Sequence, residues 1–192
     1  MLVRLFAALG ALAAVVVVVA GVAVWNITRR GVSTREAPGK LETVVARALR
    51  KAAIPAASRQ QKNPIVMDDA KRAHARAHWA DHCAVCHAAD GSGTGVSGER
   101  MYPPAPDMRT AITQDLTDGE IYWIIQNGIR LSGMPAWGEA HADDPETWEL
   151  VAFVRSLPGL TKDEVEAIES AMPVSAHERA EREAEDVFLR GD

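Results

Sequence analysis

The chain has 192 residues, 47% hydrophobic and 24% charged, near the globular average, so most of it can fold, and its length suits one domain with accessory segments. Its net charge of -5 is unevenly placed: residues 26–65 carry nine basic and two acidic side chains, residues 66–160 seven and fourteen, and residues 161–192 four and ten. The part expected to fold is therefore acidic, which excludes nucleic acid as a partner, since phosphate would be repelled.

In chain order, Leu5 to Trp25 (LFAALGALAAVVVVVAGVAVW) comes first, with no charged side chain across 21 positions. About 20 apolar residues suffice to cross the hydrocarbon core as a helix. A secretory signal has a shorter apolar region, roughly 7–15 residues, and a small-residue cleavage site. Gly21-Val22-Ala23 serves only weakly as such a site, so residues 1–25 read as a retained transmembrane anchor, with a cleaved signal as the alternative. Residues 26–67 read as a basic linker containing Pro38-Gly39, Pro55 and Pro64. Within it LETVVARALRKAA has helical spacing at Val44, Val45, Ala48 and Leu49. It reads as a solvated basic helix, its apolar face small for one lying on a membrane. The basic linker follows the span directly, where Lys and Arg can sit against anionic headgroups.

A folded domain is expected over residues 68–160. Asp68-Asp69 opens an alanine-rich helix that runs into WADHCAVCH. A Gly- and Pro-rich loop spans Asp90 to Asp107. Thr117-x-x-Glu120 is a capping box, with Ile121, Ile124 and Ile125 as a buried stripe and Asn127-Gly128 as a stop. A second loop, GIRLSGMPAWGEAHAD, leads to Asp144-Pro145, a cap followed by the residue favoured at the first helical position. Leu150, Phe153, Val154 and Leu157 line the next helix, which stops before Pro158-Gly159. Thr161 and Glu164 cap an acidic tail, residues 161–192, expected to be helical through much of Val165 to Leu189. No alternating strand pattern occurs, so the fold class is all-α. A domain of this size with two long loops buries little by itself; a large flat cofactor at its centre would supply what is missing.

The only two cysteines stand in Cys83-Ala84-Val85-Cys86-His87. A thioredoxin-like pair expects a βαβ setting, which is absent. A structural zinc site needs four ligands, and no second Cys or His pair lies at zinc-finger spacing. Two inert thiols leave the adjoining histidine unexplained. The pattern C-x-x-C-H is the sequence form of covalent haem attachment. Each thiol adds to one vinyl group, the spacer matches their separation, and His87 is held beneath the iron as its ligand. A Met/His pair closes the iron to other ligands and raises its potential. Met134, in Ser132-Gly133-Met134-Pro135, lies 47 residues beyond His87, where Gly permits close approach and Pro stiffens the loop. Met134 is the expected sixth ligand, with Met108 a distant second. His74, His78 and His82 share a helix face and read as a partly solvated row rather than a metal site. His141 and His177 read as surface residues, and Trp123, Trp137 and Trp148 as core or pocket packing.

With these residues placed, the region from about Asp69 to Leu160 resembles the class I cytochromes c, specifically small bacterial mono-haem electron carriers. Trp79, Asp90-Gly91-x-Gly93, Tyr102-Pro103-Pro104-Ala105-Pro106-Asp107, Asn127-Gly128-Ile129-Arg130 and Trp148 to Leu157 carry the likeness beside the haem motif. Ala75 stands where many members have Gly at the crossing of first and last helices. The resemblance implies one haem c, and a proline carbonyl in the first loop accepting from the axial histidine, with Pro103 or Pro104 as candidates. It also implies attachment outside the cytoplasm, on the periplasmic face of a bacterial inner membrane. The charge distribution opposes that, because Arg29, Arg30, Arg35 and Lys40 follow the span while only Arg4 and the amino terminus precede it. The motif decides, since the charge rule is a bias and the attachment chemistry is bound to a compartment.

The sequence thus points to a membrane-tethered carrier, not an enzyme, passing single electrons between periplasm-facing partners with basic docking patches. Its N-terminal helix contacts lipid. A fixed haem subunit of a dehydrogenase or oxidase and a haem enzyme or gas sensor are the alternatives.

Overall fold

A computed structural model describes residues 2–31, 33–138, 144–174 and 176–190. All regular structure among them is helical, as the sequence pattern implies. The chain divides into two compact units, Met1–Glu36 and Ala37–Asp192. The first is one apolar helix, α1 (Leu2–Arg30), long enough to cross a membrane and closed by Arg29 and Arg30 in its last turn. Its 29 residues extend about 43 Å at 1.5 Å each.

The second unit begins with α2 (Lys40–Ala53) and α3 (Ala56–Gln60). Then α4 (Asp69–His78) starts at Asp68, whose carboxylate accepts from the Lys71 amide at 2.8 Å. It continues through a wide π-helical turn, Trp79–Cys83, into α5 (Ala84–His87). Beyond the first loop come α6 (Ala111–Gln114) and α7 (Asp118–Asn127), then α8 (Pro145–Ser156) after the second. The chain continues into α9 (Lys162–Ala171) and α10 (Ala176–Arg190). Both capping boxes form: Thr117 with Glu120 opens α7, and Thr161 with Glu164 opens α9. The tail is helical through much of its length, as expected, in two helices either side of Pro173.

Helix α4 packs on α8, which also packs on α7. Ala75 of α4 is buried. Trp79, Ala80, Ala84, Ile121, Ile125, Leu150, Val151, Phe153 and Leu157 form the centre. The Tyr122 and Trp148 rings stack at 4.1 Å, and Trp79 lies 5.5 Å from Phe153 with its indole N–H donating to the Ala89 carbonyl. Arg155 ties α8 to the α6–α7 turn through Asp118 at 2.9 Å and the carbonyls of Gln114 and Leu116.

The compact unit starts earlier than residue 68. Ile54 is fully buried, and the Asn63 amide donates to the Trp148 carbonyl at 2.8 Å. Thr117 Oγ1 donates to the Arg59 carbonyl at 3.0 Å, and Gly119 lets the Ser58 carbonyl approach α7 closely. The segment expected to be a linker through Met67 therefore serves as a strap from Ala37 onward. The tail is anchored as well, since Ile168 of α9 is buried in the core.

Two outcomes follow from this packing. A Cβ at Gly119 would stand 1.8 Å from the Ser58 oxygen, so Gly119→Ala should destabilise by about 1–3 kcal/mol. Gly159→Ala, which meets open space, should stay within about 0.5 kcal/mol of the parent in the same thermal melts. His74 Nδ1 lies 2.7 Å from Glu149 Oε2, and this hydrogen bond raises the His74 pKa above its ordinary 6.5. The pair's contribution to stability is fully present below pH 6.5 and is lost as pH rises through the higher folded value. An NMR titration should place His74 above 6.5 in the native chain and closer to 6.5 in Glu149→Gln.

Candidate haem site

The helical rod from α4 to α5 delivers the motif at its end. A π-turn admits one extra residue and shifts the side chains that follow. Beyond it Ala84 points inward and is fully buried, while Cys83, Cys86 and His87 are half-buried. Ala88, with φ of 63°, ends the rod.

The first loop then folds back over that end. The Gly93 amide donates to the His87 carbonyl at 2.9 Å, and the Ser97 amide to the Val85 carbonyl at 3.1 Å. A Cβ at Gly95 or Gly98 would stand 2.7 or 1.9 Å from the Cys86 oxygen, so only glycine lets the loop lie this close.

The two thiols are free. Burial, with Cys86 adding a smaller effect, pushes the Cys83 pKa up to about 12, and burial also raises that of Cys86. Both are neutral at pH 7, whereas a redox-active pair of the thioredoxin kind depends on a depressed thiol pKa. Among the described residues no group of three or more His, Cys, Asp or Glu side chains is arranged to hold a metal ion. His74 instead bonds Glu149, the His78 and His82 rings meet at 5.1 Å, and His82 lies 5.2 Å from Trp137. His141 and the side chain of His177 lie outside the described residues. Trp148 is core, Trp123 is half-buried, and Trp137 is exposed.

His87 sits 5.9 Å from the Trp79 ring. Burial lowers its pKa, against a smaller opposing effect from the Pro106 carbonyl, so the ring is neutral at pH 7 with a lone pair to give. Nδ1 is buried without a hydrogen bond of full geometry, and the backbone carbonyl acting on the ring is that of Pro106. Pro103 and Pro104, expected from sequence for this role, are exposed. The difference comes from the loop's path: Gly93 packs against the Ala105 and Pro106 carbonyls, which carries residue 106 to the ring. The close-packing glycine of Asp90-Gly91-x-Gly93 was the one sequence signal of that path.

Met134 is held on the second loop. Gly128, at φ of 65°, lets the chain turn back so that the Ile129 amide reaches the Met134 carbonyl at 3.2 Å. Ser132 Oγ accepts from the Met134 amide at 3.1 Å, and the Trp137 amide donates to the Ile125 carbonyl at 3.0 Å. The Met134 side chain is half-buried against the core. Met108 is buried there as a packing residue, and its amide closes the first loop onto the Gly91 carbonyl at 2.8 Å. Sequence reasoning gave no part to Met101, whose sulfur lies where a Gly133 Cβ would be. The two loops thus meet at Met101 and Gly133, and the second loop also reaches the rod where Trp137 meets His82, the residue before Cys83. Neutral thiols one turn apart, a half-buried neutral imidazole, and a thioether on the second loop fit a covalently held haem.

Closing the first loop over the rod end depends on small residues, so Gly98→Ala should lower the yield of haem-loaded protein several-fold. Absorbance of the purified chain per unit of protein measures this, with Gly159→Ala as the neutral control.

Residues 70–154 match the family described as cytochrome C oxidase, cbb3-type, subunit III. No curated protein matches the chain. The region of the match coincides with the rod, both loops and α8, and residues 70–154 are therefore a class I c-type cytochrome domain.

Proposed function

We propose that the chain is a membrane-tethered mono-haem cytochrome that carries single electrons between redox partners facing the periplasm. The observation that carries this reading is the convergence at one rod end of two neutral thiols and a neutral imidazole, with Met134 on the loop beside them. Cys83 and Cys86 would hold the haem through two thioether bonds, and His87 and Met134 would ligate its iron. When bound, the haem accepts and returns one electron at its iron. The residues keep that exchange simple: a neutral nitrogen and a neutral sulfur add no charge, and the bonded loops keep the ligands in place in both oxidation states. The Pro106 carbonyl orients the His87 ring.

The tether raises the effective concentration of the domain near membrane complexes. Residues 66–160 carry seven basic and fourteen acidic side chains, which suits partners with basic docking patches. A second reading, a fixed subunit of an oxidase or dehydrogenase, is favoured by the description of the matched family and by the exposed Val187, Phe188 and Leu189 of α10. Recovery of the intact chain with large partners in mild detergent would select it over the diffusing carrier.

Optical spectra of the holoprotein test the ligand set. The native chain should show a low-spin haem with the methionine–iron charge-transfer band and no response to carbon monoxide. Met134→Ala should lose the band, bind carbon monoxide and have a lower reduction potential. A high-spin native haem that binds carbon monoxide would instead point to sensing or catalysis. Association with the electron partner should slow as salt rises, in stopped-flow traces at increasing ionic strength; a flat dependence would remove the basic docking patch.

A further inference from the structure

Helix α2 is amphipathic in the opposite sense to a helix that covers a core. Its half-buried residues are Thr43 and Arg50, and the Tyr102 hydroxyl donates to Glu42 on its first turn. Burial and the neighbouring Arg47 disfavour the Arg50 cation, and the buried Glu120 carboxylate of α7 offsets them only in part. Leu41, Val44, Val45 and Leu49 project away from the unit, 78%, 64%, 47% and 65% exposed. At 100° per residue these four, with the exposed Ala48 and Ala52, make one apolar stripe about 140° wide. Lys40, Arg47 and Lys51 line one edge of it, and no charge interrupts it.

An apolar stripe with a basic edge is the pattern of a helix lying in a bilayer interface. The covalent chain makes a bilayer the nearest occupant. Residues 31–39 join α1 to α2, and nine residues reach at most about 30 Å when fully extended. The block from residue 26 to 65, nine basic against two acidic, has the charge that anionic headgroups attract.

We propose that α2 lies in the surface of the bilayer that α1 spans, with Leu41, Val44, Val45 and Leu49 at the acyl–headgroup boundary and Lys40, Arg47 and Lys51 among anionic headgroups. The proposal rests on α1 being embedded. It makes α2 a clamp rather than a length of tether, because Glu42, bonded by Tyr102, and the fully buried Ile54 at its end fasten the helix to the haem unit. Tyr102 follows Met101, whose sulfur touches Gly133, so the clamp reaches the loop that carries Met134. The domain would then present one face of its site to partners instead of swinging freely.

The test uses the full-length holoprotein in phosphatidylcholine vesicles with and without phosphatidylglycerol. Single nitroxide labels are placed through Val45→Cys on the stripe, Ala46→Cys off it, and Val16→Cys within α1, with the unsubstituted holoprotein as the labelling blank. In anionic vesicles Val16 and Val45 should collide preferentially with oxygen over a polar nickel chelate, by a ratio several-fold above that at Ala46. Removing phosphatidylglycerol, or combining Lys40→Gln, Arg47→Gln and Lys51→Gln, should lower the Val45 ratio and leave Val16 unchanged. A Val45 label as open to nickel as Ala46, with Val16 in lipid, would overturn the proposal and leave the anchor standing. A Val16 label in water would overturn the anchor and this proposal with it. A Val45 label shielded from both reagents would mean protein, such as a second copy, covers the stripe, and would overturn the lipid assignment.

Discussion

The last carbonyls of a helix have no partners within it and must find them elsewhere. Here the rod from Asp69 to His87 ends on the residues that carry the chemistry, so that general obligation shapes the site. Val85 and His87 accept from Ser97 and Gly93, and Gly95 and Gly98 crowd the Cys86 oxygen. The first loop therefore has to return over the motif. In doing so it brings Pro106 to His87 and Met101 to Gly133, where the loop of Met134 begins. The glycines are small because backbone passes against backbone at these points, and the site's order follows from how a helix end is closed.

Burial sets the chemistry of the same residues. It raises the pKa of both thiols and lowers that of the imidazole, so the cysteines and His87 share the neutral state. Ion pairs form outside the core, in Arg109 with Asp90 and Asp107, and in Arg155 with Asp118. The division extends along the chain, from a basic stretch next to the apolar helix to an acidic haem unit.

What could be read in advance was what local rules govern. Asp68, Thr117, Asp144 and Thr161 cap the helices expected of them, and α7 stops at Asn127-Gly128. The haem motif and the Met134 loop were legible because their spacing is short and their residue types are chemically specific. Long-range contacts were not legible. Asn63 reaches Trp148 across 85 residues, Ile54 is fully buried, Ile168 joins a core built from distant residues, and so neither the strap nor the packed start of the tail could be told from solvated segments. The choice of Pro106 over Pro103 and Pro104 depends on the path of a whole loop. The outward apolar stripe of α2 was visible as a pattern, but only the fold gives its direction.

The central claim is that Met134, and neither Met101 nor Met108, supplies the sulfur at the site. NMR of the reduced holoprotein with isotope-labelled methionine methyl groups addresses it directly, since a methyl held over a haem plane is displaced far from all others by the ring current. The account predicts one such resonance, absent in Met134→Ala and present in Met101→Leu. A displaced methyl that survives Met134→Ala and disappears with Met101→Leu, or no displaced methyl at all, would contradict it.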